Sequence, residues 1–151
     1  MFDNIDTSRK MSELFQQALV IIQGLKKTML SLHMSLDTDD AGFPHVNVKS
    51  VEFPEGWFPL PVETFKGIGN CIVLDKNNEQ LVLYYQIKGG SYFVQHSTAE
   101  AFSLHVSYGA MTCSVSGLNF KKGTIGQAKP NQLHQFCFPE DTGMTVTFDL
   151  A

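Results

Sequence analysis

Near the start of the chain apolar residues recur at alternating steps of four and three: Met11, Phe15, Ala18, Ile22, Leu25, Met29, Leu32 and Leu36. A period of about 3.5 residues is the mark of a helix with one apolar seam. Phe15, Ile22, Met29 and Leu36 take the a positions, and Met11, Ala18, Leu25 and Leu32 take d. At ~1.5 Å per residue the helix would run for about 39 Å. Leu14, Leu19 and Ile21 widen the stripe beyond what a two-stranded zipper needs. The pattern therefore predicts self-association of three or more chains, with Phe15, Ile22, Leu25, Met29 and Leu32 at the contact. Packing of the same stripe along the chain's own β domain is the alternative. Asp37, Asp39 and Asp40 are unfavourable at a helix C-terminus, so the helix should end near Leu36, and Gly42 and Pro44 mark the boundary. Two units are expected: an oligomerising helix over residues 1–40 and a second domain over 41–151.

Beyond the boundary the period falls to two. Residues 45–53 alternate well enough for a strand, although the phase slips near Ser50. PEGWFPLP, residues 54–61, carries prolines that bar it from a central strand, so it should lie over a sheet as a loop, with Trp57 and Phe58 as lid or rim packing. Short strands follow at 69–74, 81–88, 91–96, 102–108, 110–115, 118–120, 133–138 and 144–150, separated by turn residues. Strands so spaced, with no helical pattern among them, predict an all-β sandwich or barrel.

Composition narrows the function. A chain of 151 residues suits one domain plus an appendage, and 43% hydrophobic content with 12 phenylalanines supplies a packed core. Net charge is −4 and no lysine or arginine run exceeds two residues, which disfavours nucleic acid as a partner. Cys71, Cys113 and Cys137 lie far apart in apolar runs, as buried thiols in a reducing compartment would. The polar, acidic start is unlike a signal peptide, and no apolar run reaches the ~20 residues that span a bilayer. A soluble, cytoplasmic protein is expected, with no membrane partner. The chain has no Walker-type phosphate loop and no GxSxG elbow, and Glu140 and Asp141 read as solvated turn charges.

The candidate chemistry lies in GSYFVQHSTAEAFSLHVSYG, from Gly90 to Gly109. Its spacing resembles the first motif of the cupins: a glycine, a His-x-His pair, a glutamate and a closing glycine. Gly90, His96 and Gly109 keep that frame, whereas the second histidine falls on Thr98 and the glutamate on Phe102. The second cupin motif is matched by Gly123, Pro130 and His134, with its inner glycine absent and Phe138 where an asparagine is expected. The resemblance covers residues 66–151 and implies a mainly β, cupin-like jelly-roll barrel behind the N-terminal amphipathic helix.

In metal-binding cupins the histidines and the glutamate hold one divalent ion. Position by position, only His96 and His134 remain here as ligand types, and Glu100, four residues after His96, is the candidate replacement. Two readings stay open: hydrogen-bonded pocket histidines, or a divalent transition metal held by His96, His134 and Glu100. His105 should face away from the site by strand alternation. The favoured function is a non-enzymatic binding or assembly protein, oligomeric through its helix, with a small-molecule pocket near His96, His134, Phe102 and Tyr92. One alternative is a metal-dependent cupin enzyme of oxygenase, isomerase or epimerase type. Another is a structural component of a larger assembly such as a virus particle.

Overall fold

In the segment QLVLYYQI every second side chain (Leu81, Leu83, Tyr85 and Ile87) is buried, so strand alternation alone turns one face to the core. The same rule builds TGMTVTFD, where Met144, Val146 and Phe148 point inward. The computed structural model describes residues 36–151. Its strands are, in chain order, β1 (Leu36–Thr38), β2 (Pro44–Val46), β3 (Phe58–Pro59), β4 (Phe65–Lys66), β5 (Gly69–Lys76), β6 (Gln80–Ile87) and β7 (Tyr92–Phe93). They continue with β8 (Ser97–Thr98), β9 (Phe102–Tyr108), β10 (Ala110–Cys113), β11 (Leu118–Lys121), β12 (Ile125–Ala128), β13 (Phe136–Cys137) and β14 (Thr142–Asp149). The fold is mainly β.

A six-stranded sheet runs β12-β9-β14-β6-β5-β3 and a five-stranded sheet runs β11-β10-β13-β7-β4. A small third sheet, β1-β2-β8, holds the parallel pair β2–β8. The two larger sheets face each other across one apolar core. Phe93 meets Tyr85 edge-on at 6.2 Å, and Phe102 meets Phe136 at 6.3 Å, each contact joining one sheet to the other. Gly109 shows why the β9–β10 turn needs glycine: its φ is +86°, and a Cβ there would strike the Asp141 carbonyl and Thr142.

Several expectations are corrected. The strand expected over residues 45–53 stops at Val46, and Val48–Ser50 instead forms a 3-10 turn, because the Val48 and Lys49 amides turn to the Glu100 carboxylate. The phase slip near Ser50 is that turn. Strand β12 was not expected, since I-G-Q-A offers little alternation; Gly126 there leaves room for the Phe120 ring. The proline segment does contribute a strand, β3, and it sits at the sheet edge as its prolines require. Because β1 pairs with β2 from Leu36 onward, the boundary drawn between residues 40 and 41 falls inside a hairpin. The heptad residues Phe15, Ile22, Leu25, Met29 and Leu32 lie outside the described residues, as does the helix they define.

Candidate functional site

His96 follows β7 and His134 precedes β13, and the two form an antiparallel bridge. The His96 amide donates to the His134 carbonyl at 3.0 Å and the His134 amide to the His96 carbonyl at 2.9 Å. Direct opposition on neighbouring segments puts both rings on one face. The rings meet edge to face at 4.4 Å, with their Nε2 atoms 3.1 Å apart. Phe136 stacks on His134 at 4.7 Å, the Phe102 ring meets His134 at 5.2 Å, and Phe93 lies 5.7 Å from the His96 ring. Both histidines are buried.

Their outer nitrogens are also engaged. His96 Nδ1 is 2.6 Å from the Val94 carbonyl, and His134 Nδ1 is 3.0 Å from the Gln132 carbonyl. A carbonyl only accepts, so each Nδ1 carries the hydrogen, and in the neutral pair each Nε2 turns a lone pair toward the other. Burial lowers the pKa of His96 against the opposing hydrogen bond to Val94. Burial first, and the adjacent His96 second, push His134 down to about 3. The pair is an uncharged, electron-rich point inside an aromatic wall.

Two such nitrogens 3.1 Å apart, each braced at Nδ1 by a carbonyl, are placed as paired histidines on one ion would be. The number of donors is what fails, since even an open catalytic site uses about three protein ligands. Thr98 donates its hydroxyl to the Glu100 carbonyl at 2.8 Å, and Phe102 offers only a ring. Glu100 itself is committed elsewhere: Oε1 accepts from the Val48 amide at 2.8 Å and Oε2 from the Lys49 amide at 3.3 Å. Among the described residues no group of three or more His, Cys, Asp or Glu side chains comes together as a metal holder. Among the described residues, the two imidazoles fall short of the donors a divalent ion takes.

The structure thus brings His96, His134 and Phe102 together and leaves Glu100 and Tyr92 out. Tyr92 is 40% exposed, and its neighbour Phe93 takes the inward place. The residual β7 strand has its phase one residue away from that expected. His105 is exposed on β9, as alternation requires.

Beside the histidines lie two spaces. A cavity of about 40 Å³ surrounds the pair. A larger one, about 120 Å³, opens between the barrel interior and the segment that runs from Val46 to Pro61. Tyr85, Phe93, His96, Thr98 and Phe148 line both. Val48, Val51, Phe58 and Leu60 close the larger cavity from the loop side. Phe58 is therefore a pocket wall, while Trp57 is 49% exposed and packs outside against Tyr84 at 6.3 Å. Sequence reasoning missed Tyr85 and Thr64 as pocket residues. Alternation along β6 turns Tyr85 inward, but no local signal places a loop residue such as Thr64 against it.

No protein-family model matches the chain, and no curated protein matches its sequence. Solved structures do match. An acetylacetone dioxygenase from Acinetobacter johnsonii is 18% identical with a TM-score of 0.57, the match covering 65% of this chain and 73% of that one. KdgF from Halomonas sp. is 12% identical with a TM-score of 0.55, covering 64% and 89%. A cupin-like protein from Thermotoga maritima is 19% identical with a TM-score of 0.55, covering 64% and 78%. At such identities the likeness carries the fold alone, and that fold is cupin-like.

Proposed function

We propose that this cupin-fold protein is a non-enzymatic binding protein that takes a small molecule into the cavity beside His96. The observation that carries the reading is an apolar cavity of about 120 Å³ walled by both barrel and loop, next to uncharged histidines each braced at Nδ1 by a backbone carbonyl. Cavities with mostly apolar walls and a few converging polar groups are the usual form of a small-molecule site. The cytoplasm is the proposed location, and self-association through the heptad segment is proposed to present several such cavities at once. Both of these rest on sequence pattern.

The test is binding of small apolar probes, followed by ligand-observed magnetic resonance, in the full chain and in Val51→Phe, which fills the cavity. Binding to the parent protein and its loss in the folded variant is the expected result. Equal binding to both would place the ligand elsewhere and overturn the reading.

A second reading, a metal-dependent enzyme, is favoured by one observation, the 3.1 Å approach of the two Nε2 atoms. It is supported also by the neighbour named as a dioxygenase. Elemental mass spectrometry of protein incubated with iron, manganese, nickel and zinc separates the two. Our reading expects a small fraction of one equivalent. Near-stoichiometric metal that disappears in both His96→Ala and His134→Ala would favour the enzyme.

A further inference from the structure

We infer that the ligand of this cavity is a neutral, mainly apolar molecule of single-ring size, carrying an oxygen that accepts hydrogen bonds from Tyr85 and Thr64. The inference rests on the binding reading above and names the chemistry that the cavity walls select.

Size comes first. An apolar cavity of roughly 150 Å³ takes up benzene, and the space here is about 120 Å³ with an opening toward the loop. A single ring fills that space, and a short substituent extends into its opening.

Charge comes second. No lysine or arginine lines the cavity, and the one carboxylate on its wall, Glu52, is exposed at the edge. His96 is held uncharged by its burial. An anionic ligand would therefore leave water without a counter-ion, which is costly in an apolar site.

The polar groups decide the rest. Tyr85 is 8% exposed and Thr64 is 4% exposed, both line the cavity, and neither hydroxyl has a hydrogen-bond partner among the described residues. Buried hydroxyls are normally paired, so two lining one cavity without a partner among the described residues mark a place where a ligand's acceptor would sit. Thr98 does not compete, because its hydroxyl is spent on the Glu100 carbonyl. Burial, with Cys71 beside it, holds the Tyr85 phenol well above its ordinary value, so Tyr85 stays a donor throughout the physiological range. Two donors facing an apolar space call for an acceptor, as a ketone or ester carbonyl would supply.

Three probes of one size separate the possibilities: acetophenone, ethylbenzene and benzoate, titrated at pH 7 into the full chain. Acetophenone is expected to bind about tenfold more tightly than ethylbenzene, a ratio of the size one or two hydrogen bonds supply. Benzoate is expected to bind more weakly than either. Tyr85→Phe and Thr64→Val, which keep the side-chain shapes, should each shrink the preference for acetophenone over ethylbenzene. Ethylbenzene binding as tightly as acetophenone, benzoate binding best, or an unchanged preference in both variants would overturn the ligand class while leaving the pocket in place. Failure of all three probes to bind would overturn the class together with the binding reading beneath it.

Discussion

At the scale of single residues, the histidine pair is held uncharged at a cost that depends on pH. Unfolded, each imidazole takes up a proton near 6.5. Folded, His96 is lowered by burial, and His134 is pushed down to about 3 by burial and by its neighbour. Between those values the unfolded chain binds more protons than the folded one, so stability falls as pH falls. The contribution is fully present above about 6.5 and is lost progressively toward about 3. Urea unfolding should show the free energy dropping between pH 7 and pH 5, with a limiting slope of about 1.4 kcal/mol per pH unit for each histidine. His134→Gln, which leaves one titrating ring and no imidazole neighbour, should flatten that slope. An identical slope in the variant would mean that other groups carry the acid sensitivity.

Phe102 shows how a ring changes such a site. It stands where the cupin glutamate is expected, is 6% exposed, and packs on His134 and Phe148 at 5.2 Å and 5.3 Å. Phe102→Ala would leave a hole against both and should cost about 3–5 kcal/mol of unfolding free energy, read from the shift of the urea midpoint. A loss below about 1 kcal/mol would show that the ring is loosely packed.

At the scale of elements, Glu100 joins two parts of the fold that lie far apart in the chain. Its carboxylate receives the Val48 and Lys49 amides and so holds the 3-10 turn Val48–Ser50, whose Val48 side chain walls the cavity. Glu100→Ala removes the acceptor of the buried Val48 amide and of the part-buried Lys49 amide and should destabilise the protein by about 1–3 kcal/mol. Hydrogen exchange should quicken at Val48 and Lys49 above all. Exchange that rises evenly across β6 and β14 instead would indicate global loosening and remove Glu100 from its local role.

Much at this scale was legible beforehand. The strand Phe102–Tyr108 shows clean alternation, F-S-L-H-V-S-Y, and it forms as expected. Prolines 54, 59 and 61 kept the loop segment out of the sheet interior, where a missing amide would break the ladder. The 3-10 turn was not legible, because what bends the chain at Val48 is a carboxylate 52 residues away. Strand β12 escaped for the opposite reason: it is recruited by pairing with β9 and has little apolar pattern of its own.

At the scale of the whole molecule, the two large sheets make the core and the loop makes the far wall of the cavity. Removal of residues 1–35 would test the proposed assembly: light scattering should report fewer protomers per particle for residues 36–151 than for the full chain. The same number of protomers in both would refute self-association through the heptads.

Local chemistry alone determines a good part of this protein. Period-two patterning assigned the mainly β class, and the glycines at 90 and 109 marked turns that the structure places at φ +90° and +86°. The spacing between them put His96 in the frame of a cupin-like site. Each of these depends on a residue and its near neighbours, so the linear sequence carries it. Tertiary structure alone decided that His96 and His134 meet at Nε2, that Glu100 serves the turn at Val48, and that Tyr85 and Thr64 line one cavity. Those outcomes depend on which distant segments pair and on how closely their side chains pack, and neither is encoded in the pattern of any one stretch.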